Sequence, residues 1–209
     1  MAHIPTLRQS ASSRPARLIR TAALAPALLA ALAACDSSTE PGSGPSRIQF
    51  TYVGTGTGGT IQGTYNAEGD FVLGRPQLEQ TFAIGHRYAD DGAMGIISNV
   101  ARSATLPDYM SLTIPRLTVG SAAIDPDCAT DFCAGIFLGL ELPAAEGSQA
   151  EYSCSLQAGT LRITAISETR MRGDFSGTGV CLGAPGTEDL EEFRITGGTF
   201  DVKVIEATG

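Results

Sequence analysis

The chain has 209 residues, 43% of them hydrophobic, and 22 acidic residues outnumber 14 basic ones to give a formal net charge of −8. Proteins bind the phosphate backbone of nucleic acids through clustered Lys and Arg. Here Lys203 is the single lysine and the arginines are scattered, so nucleic acid is not an expected partner.

The first 34 residues have the layout of a signal peptide. Four arginines and no acid precede an apolar run, Thr21–Ala34, which contains Pro26. This order predicts a helical export signal, and 14 residues fall short of the roughly 20 needed to span a bilayer. The run ends in Leu-Ala-Ala before Cys35. That sequence resembles the lipobox of bacterial lipoproteins, which implies cleavage before Cys35 and attachment of lipid to its sulfur.

Residues 35–46 are predicted to be the lipidated cysteine and a flexible tether. The stretch from Asp36 to Ser46 has no aromatic or large aliphatic residue, and its reach as a coil is about 20 Å. Cleavage would leave 10 basic and 22 acidic residues, a net charge of −12. We expect the protein to be held on a membrane of the cell envelope, on the periplasmic or cell-surface side. Which membrane holds it stays open.

The four remaining cysteines predict two disulfides. An even number of cysteines in an exported chain is typical of disulfide bonding, and three pairings are compatible with the sequence. We favour one bond within a short loop and one between consecutive β segments. A zinc site fits less well, because no histidine lies near these cysteines. The favoured pairs are Cys128 with Cys133 and Cys154 with Cys181.

From Arg47 onward the dominant hydrophobic period is two, which is the period of β-strands. Ile48, Phe50 and Tyr52 alternate with polar residues, as do Phe82, Ile84, His86 and Tyr88. Asp91-Gly92 then predicts a hairpin turn into the next strand. About ten such runs predict one all-β domain over residues 47–209. We expect an antiparallel sandwich, with a closed barrel as the alternative. The later runs begin near Met94, Met110, Ile136, Leu161, Met171, Phe193 and Thr199.

Three segments near the C-terminus carry a family resemblance. They are Gly159–Thr164, Met171–Gly177 and Ile195–Val202, and together they resemble a β-rich ending found in small bacterial lipoproteins of unknown function. The resemblance implies the fold class and the compartment. It transfers no active-site residue to this chain.

Two motifs invite a catalytic or nucleotide-binding interpretation. Gly54, Gly56 and Gly59 match Gly-x-Gly-x-x-Gly, but a β-like run follows them where a dinucleotide site requires a helix, so we predict a hairpin loop. His86 is the one histidine after the signal peptide. It would have to serve any histidine-dependent nucleophile, and its place in an alternating strand favours a structural role.

Acidic residues offer two further candidates. Asp125, Asp127 and Asp131 crowd one loop, and calcium prefers such oxygen ligands, although the EF-hand pattern is absent. The run Glu188–Glu192 predicts either a solvated loop or a docking surface for a basic partner. A pair of carboxylates for glycoside hydrolysis depends on spatial separation, which sequence does not reveal.

The leading hypothesis is a lipid-anchored envelope protein whose β domain is non-enzymatic and has a binding or structural role. It would contact the membrane through Cys35 and could present a surface to an envelope protein partner. No cofactor or metal is predicted. The alternatives are a small-ligand or calcium-binding module and, less favoured, an envelope hydrolase that uses His86 or a pair of acids.

Overall fold

The computed structural model of the protein describes residues 43–87, 93–102, 107–115, 118–126, 133–143 and 149–206. All of them belong to one compact unit, Ser38–Gly209. The predicted helical signal peptide, the lipidation site Cys35 and most of the tether lie outside the described residues. No helix in the described ranges has the length and apolar character needed to cross a bilayer.

The described part of the chain is all-β, which confirms the predicted class and the expected number of about ten strands. One 3-10 helix, Gln77–Glu79, interrupts the strands. The strands are β1 Arg47–Gly56, β2 Gly59–Glu68, β3 Phe82–Arg87, β4 Met94–Val100, β5 Asp108–Ile114, β6 Gly120–Ile124, β7 Cys133–Pro143, β8 Gln149–Ile166, β9 Arg170–Gly183 and β10 Leu190–Glu206.

The ten strands form a single mixed sheet, whereas the sequence predicted two antiparallel ones. Two pairings are parallel, β10 with β3 and β6 with β7. The long β10 pairs with β1 as far as Asp201, and its last residues, Val204–Glu206, continue past β1 to pair with β3. In the series β10, β3, β4, β5, β7, β8 and β9, each strand pairs with the next one. The last strand of the series, β9, also pairs with the first, β10.

Alternate residues of each strand face one shared core, as the two-residue period requires. The prediction that Ile48, Phe50 and Tyr52 share a buried face is confirmed. The Phe50 ring stacks on Tyr65 with a centroid separation of 4.8 Å and meets the edge of Phe175 at 5.7 Å. These aromatic contacts join β1, β2 and β9 across the core.

In β3 the side chain that joins the main core is that of Ala83, not that of Phe82 as the alternation suggested. Phe82 lies on the opposite face of the strand, where the ring of Phe71 covers it at a centroid distance of 5.0 Å. The segment that follows β2 therefore crosses the outer face of the sheet. This crossing positions the pocket described below.

The predicted disulfide between Cys154 and Cys181 is confirmed. The two residues lie opposite each other in β8 and β9, and both are fully buried. Cys128 and the side chain of Cys133 lie outside the described residues, so their pairing stays a prediction.

Candidate functional site

A pocket of about 270 Å³ lies on the outer face of the sheet, between the 3-10 helix and strands β4, β5, β7 and β8. Its volume lies just below the range common for small-molecule sites. The side chains that matter for its chemistry are Leu78, Ile97, Asn99, Tyr109, Glu141 and Glu151.

Strand register places these side chains together. Asn99 of β4 lies opposite Tyr109 of β5, and Tyr109 lies opposite Gly139 of β7. Gly139 leaves room for the aromatic ring, since a Cβ there would stand 2.0 Å from Tyr109 Cε1. Two residues further along β7, Glu141 lies opposite Glu151 of β8. The side chains of β7 that face the core are those of Ile136, Leu138 and Leu140. Glu141 directly follows Leu140, so its side chain points to the opposite, outer face.

The rim of the pocket is held by two buried amide side chains. Gln80 Nε2 donates to the carbonyls of Val72 and Arg75 at 3.2 and 3.0 Å, and Gln80 Oε1 accepts from the Val72 N–H at 2.9 Å. Asn99 Nδ2 donates to the carbonyls of Gln77 and Gln80 at 3.2 and 2.7 Å. Because Gln80 is 7% and Asn99 3% exposed, these bonds are shielded from water and fix the 3-10 helix against β4.

Two carboxylates give the pocket a negative charge. Glu141 and Glu151 both line it, and in the part of the chain that the structure describes no Lys or Arg lines it. Glu141 Oε2 is buried and accepts no hydrogen bond from any of the described residues. A carboxylate oxygen removed from water without a donor is unfavourable, so the pocket holds an incompletely solvated negative charge.

A second polar cluster lies on the inner side of the same strands. Asp108 is 1% exposed; its Oδ1 accepts from the Glu141 N–H at 2.8 Å and its Oδ2 pairs with Arg102 at 2.7 Å. Burial raises the pKa of Asp108, and the negative charge of Glu141 acts in the same direction. Nearby, the Tyr65 and Ser98 hydroxyls are 2.8 Å apart, and burial raises the pKa of Tyr65. This cluster contacts the pocket-lining strand β7 from its core side, through the bond between Asp108 and the Glu141 N–H.

The structure does not bring His86 into the pocket. His86 lies on β3, opposite Gly95 of β4, and is not a lining residue. Partial burial lowers its pKa, which favours the neutral imidazole.

The Gly-x-Gly-x-x-Gly motif forms the hairpin between β1 and β2, as the sequence predicted. Gly59 has a φ of +119°, a value that L side chains rarely adopt. At Gly56 a Cβ would stand 2.4 Å from the carbonyl oxygen of Asp189. Gly59 therefore permits the turn, and Gly56 lets the β1 backbone approach the backbone of Asp189 closely.

Of the proposed calcium ligands, Asp125 is described and its N–H donates to the carbonyl of Ala134 at 3.1 Å. Asp127 and Asp131 lie outside the described residues. In the parts of the chain that are described, no group of three or more His, Cys, Asp or Glu is arranged to hold a metal. The calcium hypothesis stays a prediction.

The acidic run Glu188–Glu192 makes local contacts. Glu188 accepts from the hydroxyl of Thr57 at 2.5 Å, and Asp189 accepts from the Gly183 N–H at 2.9 Å. Glu192 pairs with Arg194 at 2.7 Å. The bond between Glu188 and Thr57 links the β9–β10 connection to the β1–β2 hairpin, whereas the other two contacts stay within that connection and within β10. The docking surface stays a prediction.

Comparison with known proteins finds no match to this chain. No family model matches it, and neither a curated protein nor a solved structure matches it. The site therefore has to be interpreted from its own geometry.

The sequence did not point to Asn99, Tyr109, Glu141 or Glu151 as site residues. One local signal was present, since Glu141 is the single charged residue of the otherwise apolar strand β7. These four residues, which lie up to 52 positions apart in the chain (Asn99 to Glu151), are brought together by the register between strands, which periodicity does not reveal.

Proposed function

We propose that this chain is an exported lipoprotein, anchored through lipid on Cys35, whose β domain is a non-enzymatic binding module of the cell envelope. The lipid anchor is inferred from the Leu-Ala-Ala-Cys sequence at the end of the apolar run. Its setting supports it, because a short polar tether separates Cys35 from β1, which begins at Arg47.

We also propose that the domain is a sheet closed on itself as a barrel, which was the alternative to a sandwich. The support is the circuit of pairings that leaves β10 through β3 and returns through β9. A sheet that closes protects its strands from pairing with other chains, which suits a domain exposed at a membrane surface.

The outer-face pocket supports a binding role over a catalytic one. General acid catalysis requires an acid with a raised pKa that reaches the substrate. In this region the acid with a raised pKa is Asp108, which faces the core and is held by Arg102 and the Glu141 N–H. The pocket carboxylates, Glu141 and Glu151, instead line the cavity where a ligand would sit, and we assign them to ligand binding.

The anchor is tested by the substitution Cys35→Ala, with Ser38→Ala in the adjacent tether as the matched control. Cells expressing each variant are labelled with an alkyne-tagged palmitate and separated into membrane and soluble fractions. The wild-type chain and Ser38→Ala should carry label and sediment with membranes, whereas Cys35→Ala should lose both properties. Label retained on Cys35→Ala would overturn the proposal.

A further inference from the structure

The outer-face pocket is built for a ligand of positive charge. Glu141 and Glu151 face each other across β7 and β8, and no basic residue is among the described residues that line the pocket. Glu141 Oε2 is buried and has no hydrogen-bond donor within the described ranges, so these residues do not give it the compensation that a buried carboxylate requires. A cation in the pocket would supply that compensation, through the other carboxylate oxygen or after rotation of the side chain.

The walls of the pocket indicate an organic cation. Hard metal ions such as calcium take six or more oxygen ligands, whereas this pocket has apolar walls formed by Leu78 and Ile97. Tyr109 adds an aromatic ring, and such rings attract cations. An ammonium group on an aliphatic stem satisfies both features, since the charge meets the carboxylates and the stem covers the apolar wall.

The pocket is formed before any ligand arrives. Asn99 and Gln80 hold the 3-10 helix against β4 through buried hydrogen bonds, and the Tyr109 ring occupies the space that Gly139 leaves open. A rigid site loses little conformational entropy on binding. Leu78 is nevertheless 62% exposed, so the entrance is accessible from solvent.

We infer that this pocket binds a small alkylammonium compound, with Glu141 and Glu151 as the charged ligands and Leu78, Ile97 and Tyr109 as the wall for the stem. The inference rests on the proposed role of the β domain as a binding module and names its ligand class.

Calorimetric titration of the full mature protein in a non-ionic detergent tests the inference. The probe is hexane-1,6-diamine, and hexane-1,6-diol is the uncharged probe of equal length. The diamine should bind at least tenfold more tightly than the diol, because a hydrogen bond to a charged group contributes enough free energy for such a factor. Equal affinities, or a diamine that does not bind, would contradict the inference.

Variants locate the site. Glu141→Gln should weaken diamine binding about tenfold or more, and Glu68→Gln, which changes an exposed acid on β2, should leave the dissociation constant unchanged. Unchanged affinity in Glu141→Gln would refute the assignment of the site.

Leu78→Lys provides a decisive second variant if Glu141→Gln fails to fold, as judged by circular dichroism. Its exposed position tolerates a lysine, and the new ammonium group at the rim should weaken diamine binding by at least tenfold; undiminished binding would contradict the inference. Lipid on Cys35 is measured separately. A lipidated, folded protein that binds no diamine therefore defeats the pocket assignment and leaves the anchor intact.

Discussion

The disulfide between β8 and β9 makes a quantitative prediction about stability. Its cysteines are 27 residues apart in sequence, and cross-linking restricts the unfolded chain most when the closed loop is long. The chain-entropy relation gives about 3.5 kcal/mol for a loop of this length. The double substitution Cys154→Ala with Cys181→Ala should lower the free energy of unfolding by about that amount, and the melting temperature by roughly 10 °C for a domain of this size.

Urea unfolding followed by far-ultraviolet circular dichroism, without reductant, measures this effect. The matched control is Ser153→Ala with Leu182→Ala, the neighbouring cross-strand pair, which lies on the exposed face of the same strands. Exposed substitutions of this kind change stability by about 0.5 kcal/mol or less each. A cysteine double variant within about 1 kcal/mol of the wild type, with an unchanged urea dependence, would refute the loop-entropy argument.

Two further predictions concern buried charges. Because burial raises the folded-state pKa of Asp108 above its usual 3.8, the folded protein binds this proton more tightly than the unfolded chain, so stability should fall as the pH rises from 3.8 through the raised pKa. Urea unfolding across that window should show the wild type losing stability relative to Asp108→Asn, and the opposite trend would contradict the assignment. Arg170 is 6% exposed, donates to the carbonyls of Gly44 and Pro45 at 2.6 and 3.0 Å and pairs with Asp201 at 2.6 Å. Arg170→Ala should therefore cost about 2 kcal/mol, since it removes charge-assisted hydrogen bonds to the Gly44 and Pro45 carbonyls and one of the two arginines that pair with Asp201, the other being Arg172. It should also expose the Gly44–Pro45 segment to proteolysis; a melting temperature within about 2 °C of wild type and unchanged cleavage would refute this role.

Much of the fold was accessible from alternation and cysteine spacing. Ile48, Phe50 and Tyr52 predicted the inner face of β1, and the Cys154–Cys181 bond followed from the expectation that consecutive β segments would be tied together. Alternation shows that a strand has two faces but does not say which face meets the core. In β3 the small residue Ala83 meets it, because Phe71 covers Phe82 from the other side.

The parts that sequence reasoning missed all depend on contacts between distant segments. The parallel pairing of β3 with β10 joins Gly85 to Val204, and nothing local in either strand specifies it. The pocket likewise requires Asn99 to reach the carbonyl of Gln77 and Glu141 to lie opposite Glu151. Such contacts are set by the register and order of strands, which hydrophobic period leaves undetermined.

We propose that the mature protein begins at Cys35 and carries lipid on its sulfur. Intact-mass spectrometry of the protein purified from its own membranes, followed by fragmentation of its N-terminal peptide, tests this most directly. We predict a chain that starts at Cys35 and carries the mass of a diacylglyceryl group, or of that group plus one N-linked acyl chain. A mature chain that starts elsewhere, or an N-terminal Cys35 without added lipid, would overturn the proposed anchor.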